Sequence, residues 1–177
     1  MSKTVAVLLS ISIVFFTTSC LEVDDNPNAR SQEMEIREIN EALLSLVEEG
    51  YDIDTTALGI YYIIHEQGEG QTAREGDTLS LEYSGYLLGG LIFDASGYHY
   101  QDGIWEFVFN PADLIPGFAD GISVMNKGAA LDMIIPSEYA YGAIGSGIIE
   151  PYTTILFTVL MHDLKPGQDS LANQFFH

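Results

Sequence analysis

The stretch from Trp105 to Met125 limits this chain most, because its pattern changes period in the middle. Trp105, Phe107 and Phe109 alternate with Glu106 and Val108, which is the two-residue period of a strand. Asn110-Pro111 ends that strand, since proline cannot donate to a ladder and restricts the residue before it. Ile115, Phe118, Ile122 and Met125 then fall at three- and four-residue intervals, the apolar stripe of a helix of about three turns. Pro116 suits its first turn, where the missing N–H costs nothing. So short a helix needs a broad apolar surface to lie on.

The flanking sequence supplies that surface as strands. Gly59–His65 reads as a strand closed by Gly68-Glu69-Gly70. Thr78–Leu88 alternates Leu79, Leu81 and Tyr83 against Ser80, Glu82 and Ser84. Gly89-Gly90 signals a hairpin returning through Leu91–Asp94. Ser96–Gly103 is a polar loop containing Tyr98 and Tyr100. Ala129–Ile135 is a further strand ended by Pro136, and residues 139–151 are glycine-rich. The last strand, Thr153–Leu164, puts Ile155, Phe157, Val159 and Met161 on one face. Strands without intervening crossover helices predict an α+β fold, an antiparallel sheet wrapped on one short helix.

Residues 1–19 carry Lys3 and then an apolar core from Val5 to Phe16, too short to span a bilayer. They read as an export signal ending at Cys20, the sole cysteine. The segment resembles the lipobox of bacterial lipoproteins, with Thr17 where an aliphatic residue is usual, and implies lipidation of Cys20. The alternative is an ordinary secretory signal followed by an unpaired thiol. The expected location is the bacterial cell envelope, lipid-anchored at the outer membrane on its periplasmic or surface face. Residues 20–58 form an acidic tether and a helix, 59–165 the main domain, and 166–177 a tail. In the helix, Ser31 is the expected N-cap, Ile36, Ile39, Leu43, Leu46 and Val47 the apolar stripe, and Gly50 the stop. It is expected to pack on its own domain rather than dimerise, because two or three heptads make a marginal coiled coil.

Six basic residues stand against 26 acidic ones, a formal charge of −20, which makes nucleic acid and anionic lipid headgroups poor partners. No Gly-x-Ser-x-Gly elbow, EF-hand or phosphate loop occurs. His65, His99, His162 and His177 lack ligand spacing, so neither a metal nor a cofactor is implied. An aromatic pocket with a few polar groups remains, lined by Tyr83, Phe93, Phe107, Phe118, Tyr141 and Phe157.

Several short motifs now carry a family resemblance. They are Gly76–Leu87, Phe93-Asp94-Ala95-Ser96, Leu114-Ile115-Pro116-Gly117-Phe118, Tyr139-Ala140-Tyr141-Gly142, Gly147–Pro151 and Thr154–Phe157. In this order, from about Gly59 to Lys165, the chain resembles the FKBP family of peptidyl-prolyl isomerases. The resemblance implies a five- to six-stranded antiparallel half-barrel around the helix beginning at Pro116. It also implies a proline pocket bounded by Phe93, Phe107, Leu114, Ile115, Phe118, Ile149 and Phe157. Tyr83, Asp94 and Tyr141 would be its catalytic polar groups, and proline-containing polypeptides its partners. Phe118 stands where the family usually has tryptophan, Pro116 replaces a polar residue, the 96–103 loop is longer and the 142–151 loop shorter. The implied activity is isomerisation of X-Pro bonds in exported proteins. The other reading is a binding module or holdase of the same fold without turnover.

Overall fold

A computed structural model describes residues 29–167. The export signal, Cys20 and most of the tail lie outside the described residues. The chain runs through α1 (Gln32–Glu48), β1 (Asp54–Thr55), β2 (Tyr61–Glu66), β3 (Glu69–Thr72), β4 (Thr78–Leu87) and β5 (Ile92–Ala95). There follow α2 (Ser96–His99), β6 (Trp105–Val108), α3 (Pro116–Ser123), β7 (Asn126–Lys127), β8 (Ala130–Ile135) and β9 (Ile155–Lys165). The main sheet is antiparallel in the order β1-β2-β8-β9-β4-β5, and β6 also pairs with β4. It is the expected α+β architecture with one strand more than expected, because Asp54 and Thr55, beyond the expected helix stop at Gly50, pair with Tyr62 and Tyr61. β3 and β7 form a separate two-stranded ribbon that the sequence reading did not assign.

β4 and β9 are the spine of the sheet, paired from Thr78↔Lys165 to Leu87↔Ile155. Their alternation buries Leu79, Leu81, Ile155, Val159 and Met161 completely. The alternation slips once. Ser80 faces Asp163 but Leu81 faces Met161, so His162 is an extra residue bulged out of the ladder. A one-residue bulge exchanges the faces of everything beyond it. Leu164 is therefore buried and Asp163 is not.

The helix that the sheet encloses is shorter than its stripe suggested. α3 spans eight residues, with Ile115 as N-cap and Pro116 in the first turn. Met125 lies beyond its end, yet it is fully buried together with Ile122, and Phe118 is nearly so. Burying each such side chain contributes about 1.5–3 kcal/mol. Two glycines set the closeness of approach: a Cβ at Gly117 would collide with Ile135 and one at Gly121 with the Met133 sulfur. Four residues apart, they share one helix face, which can thus lie flat on β8.

α1 begins as expected, with the Ser31 hydroxyl accepting from the Met34 N–H. Its buried face is rotated from the expected one. Ile36 and Val47 are exposed, and Ile39 and Glu35 are the residues that face inward. The helix lies on its own domain through that Glu35 edge, where the carboxylate finds hydrogen-bond donors. Among the described residues, no helix is long and apolar enough to cross a membrane.

Candidate active site

Between α3 and the concave face of the sheet lies a cavity of about 170 Å³ lined by Tyr83, Phe93, Asp94, Trp105, Asp113, Leu114, Ile115, Phe118, Tyr141 and Phe157. Larger hollows exist, of about 650 Å³ beside α1 and about 600 Å³ on the far side of α3. We take the smaller one as the site because aromatic walls and phenolic and carboxylate groups converge only there among these three.

Its polar groups are placed by strand pairing. β4 carries Tyr83 and β5 carries Asp94, and Gly85 pairs directly with Asp94. That register brings the Tyr83 hydroxyl within 3.0 Å of Asp94 Oδ2, to which it donates. Asp94 Oδ1 accepts from the Ala95 N–H at 2.8 Å and lies 2.7 Å from His99 Nε2. His99 reaches it because Ser96–His99, expected as loop, winds into the helical turn α2. The Tyr83 N–H is tied to the buried Ser96 hydroxyl at 3.1 Å, which fixes α2 to β4.

The walls form one aromatic cluster. The Tyr83 ring meets Trp105, Phe118 and Phe157 edge-on, with centroids 5.8, 5.9 and 6.0 Å away. Phe118 and Phe157 lie 4.6 Å apart, and Phe93 meets Phe157 at 5.6 Å. Gly85 makes the cluster possible, since a Cβ there would stand 2.7 Å from Phe93 and 2.8 Å from Phe157. Burial pushes the Tyr83 phenol well above its ordinary range, and the hydrogen bond to Asp94 and that residue's charge push it further. Tyr141 is raised by burial first and then by Asp94. Both phenols are therefore protonated donors at neutral pH.

Of the residues singled out from sequence, Tyr83, Phe93, Asp94, Leu114, Ile115, Phe118, Tyr141 and Phe157 meet at this cavity. Phe107 stands off the lining, half-buried, its ring stacked on Trp105 at 3.9 Å. Ile149 is core, 5% exposed, and does not reach the cavity. Trp105, which does, lies two residues from Phe107 on β6, so the strand period alone could have indicated it. His99 and Asp113 had no such signal.

The family model for FKBP-type peptidyl-prolyl cis-trans isomerases matches residues 69–162. The chain belongs to this family. It is 34% identical over 115 residues to the FKBP-type peptidyl-prolyl cis-trans isomerase FkpA of Escherichia coli K12, covering 65% of this chain and 41% of FkpA. The peptidyl-prolyl cis-trans isomerase Mip of Coxiella burnetii is 30% identical over 114 residues, 64% of this chain and 48% of Mip. The chain thus spans less than half of each of these curated relatives. The crystal structure of E. coli FkpA superposes with a TM-score of 0.63 at 30% identity, over 75% of this chain and 59% of that one. A Pseudomonas syringae peptidyl-prolyl cis-trans isomerase gives 0.61 at 25% identity, over 77% and 98%. An FKBP module with an N-terminal helix resting on it is therefore the frame for the site.

Proposed function

We propose that this FKBP-family protein catalyses cis-trans isomerisation of X-Pro bonds in exported polypeptides, with the proline ring held in the Phe93–Phe118–Phe157 cavity. The observation that carries the proposal is the Tyr83–Asp94 pair opening on an aromatic cavity that Tyr141 also lines. Rotation about an X-Pro bond is opposed by amide resonance, a barrier of about 18–20 kcal/mol, and takes tens to hundreds of seconds uncatalysed. Twisting that bond localises the nitrogen lone pair and breaks no covalent bond. An apolar cavity favours the twisted amide over the planar one, whose charge separation it solvates poorly. Leu114 and Ile115 border the cavity on the helix side. The Ile115 backbone N–H and the Tyr141 hydroxyl are the donors assigned to the flanking peptide carbonyls. Asp94 orients Tyr83 and offers negative charge beside the twisting carbonyl carbon. Phe107 backs the lining through its stack on Trp105, and no cofactor enters the reaction.

The proposal includes lipidation at Cys20, after a signal in residues 1–19, placing the module in the cell envelope as a monomer. A protease-coupled isomerisation assay on a short proline peptide tests the activity, and accelerated cis-trans conversion is expected. Peptide binding without turnover would replace the isomerase by a holdase of the same fold. Metabolic fatty-acid labelling tests the anchor: label in the wild type that disappears in Cys20→Ala is expected, and unlabelled wild type would refute it.

A further inference from the structure

Glu35 is a buried carboxylate on a helix that is otherwise mostly exposed, at 4% exposure. A carboxylate removed from water is costly unless its oxygens are hydrogen-bonded. Here they are. Oε1 accepts from the Ser137 N–H at 2.6 Å and from the Thr154 hydroxyl at 2.8 Å, while Oε2 accepts from the Ser137 hydroxyl at 2.6 Å. Ser137 and Thr154 are themselves buried, at 3% and 0%.

These donors sit at the two ends of one segment. β8 ends at Ile135 and β9 begins at Ile155, and the chain between them carries Tyr141. A connection this long with almost no regular structure needs another source of rigidity. The Ser137 peptide passes the constraint inward: its carbonyl accepts from the Ala140 N–H at 2.9 Å and the Gly142 N–H at 2.8 Å, the two neighbours of Tyr141. The Gly142 carbonyl in turn accepts from the Tyr152 N–H at 2.9 Å. Tyr152, with φ of 52°, is the sole non-glycine residue with positive φ among the described residues. Such a conformation persists where the surroundings hold it. Its carbonyl accepts from Arg30 Nη2 at 3.1 Å, immediately before α1, and Arg30 also donates to Glu38. Hydrogen bonds from the N-terminal helix region therefore grip the segment at Ser137, Tyr152 and Thr154.

We propose that α1 is a brace for the loop carrying Tyr141, and that Glu35 is a positioning residue for the Tyr141 hydroxyl; the second part rests on the isomerase reading above. Displacement of a donor by about 1 Å can reduce a rate substantially. The brace acts only through Tyr141, so its effect cannot exceed that of losing the hydroxyl itself.

The full chain is tested as Glu35→Ala, Glu35→Gln, Tyr141→Phe and the Glu35→Ala/Tyr141→Phe double variant. Glu35→Ala is expected to lose kcat/KM by a factor similar to that of Tyr141→Phe, up to about tenfold. The double variant is expected within about twofold of the worse single one, because residues acting through one group are not additive. Glu35→Gln keeps the shape and an acceptor for the Ser137 N–H, and should restore most of the rate. Amide hydrogen exchange read by NMR is the second measurement. Glu35→Ala should speed exchange at residues 138–153 and leave β4 and β9 unchanged. Multiplying losses in the double variant, or exchange that rises equally across the sheet, would overturn the positioning role. Unchanged exchange at 138–153 would overturn the brace itself. If Glu35→Ala does not fold, Thr154→Val removes one donor at constant volume and is read the same way. A wild type without turnover sinks the isomerase reading alone, because the exchange measurement still decides the brace.

Discussion

Asp94→Asn separates the electrostatic contribution of the site from its shape. The substitution keeps the volume of the side chain and removes its charge. In the wild type the carboxylate serves the Tyr83 hydroxyl at 3.0 Å, the Ala95 N–H at 2.8 Å and His99 at 2.7 Å. An asparagine has one acceptor atom and must present its NH₂ to one side. Holding the Ala95 N–H with its oxygen, it turns the NH₂ toward Tyr83, whose hydroxyl then accepts and points its own proton elsewhere. A hydrogen bond to a charged group contributes about 1.5–3 kcal/mol and a neutral one about 0.5–1.5. Asp94 is 36% exposed, so screening places the difference at the low end, about 1 kcal/mol. If that difference is realised in the transition state, kcat/KM falls about fivefold. The Tyr83 phenol supplies an independent readout, followed by the ring-carbon NMR signal. Burial is the largest cause of its raised pKa, the hydrogen bond and charge of Asp94 come next, and Tyr100 and Tyr141 add to them, so the variant should titrate lower than the wild type yet above an ordinary tyrosine. An unchanged rate with a lowered pKa would show that the Asp94 charge is irrelevant to turnover. A pKa falling to the ordinary value would mean that burial does not dominate this site.

Tyr141→Phe removes one donor and keeps the ring, so a loss of no more than about tenfold in kcat/KM is expected. Phe93→Ala opens the wall against Phe157; a buried Phe→Ala change costs about 3–5 kcal/mol, and because Phe93 is half-buried the low end applies. Turnover in variants shown folded by circular dichroism should rank Phe93→Ala below both Asp94→Asn and Tyr141→Phe, because it opens the wall of the proline cavity itself. Gly121→Ala drives a methyl into Met133 and should cost about 1–3 kcal/mol in urea unfolding with little change in KM; an unchanged midpoint would mean α3 has room to lift. Tyr83 and Tyr141 have folded-state pKa values raised above the unfolded value near 10, so their contribution is intact below pH 10 and is lost as pH climbs through the folded values. Activity should show no phenolic decline between pH 7 and about pH 9.5, and stability should fall above pH 10.

Periodicity carries far in this chain because one face of nearly every element is buried. Leu79 and Leu81 on β4, and Ile155, Phe157, Val159 and Met161 on β9, could be placed inside from alternation alone. The signal failed where a non-local partner decides. The bulge at His162 depends on how β9 pairs with β4, and nothing in the local sequence announces it. β3 and β7 are short and largely polar, so their pairing leaves no alternation to read. Glu35 carries no local sign of its burial, since an acidic residue in a first helical turn is ordinarily the solvated complement to the helix dipole. Only the distant donors at Ser137 and Thr154 reveal that it points inward.

The same distinction runs through the site. Tyr83 and Asp94 sit on adjacent, directly paired strands, and the Tyr83 ring is wedged among Trp105, Phe118 and Phe157. Ladder and core fix that pair without help from elsewhere. Tyr141 has no ladder, and between Ile135 and Ile155 the chain must be held by turns and side chains. A polar group on a loop is as precise as its supporting bonds. The bonds that hold the loop run through Ser137 to Glu35 and through Tyr152 to Arg30, both N-terminal to the FKBP-family segment. A polar group of the site that no strand ladder holds is thus steadied by residues that the family match does not include, and changes in α1 should register at Tyr141 before they register at Tyr83.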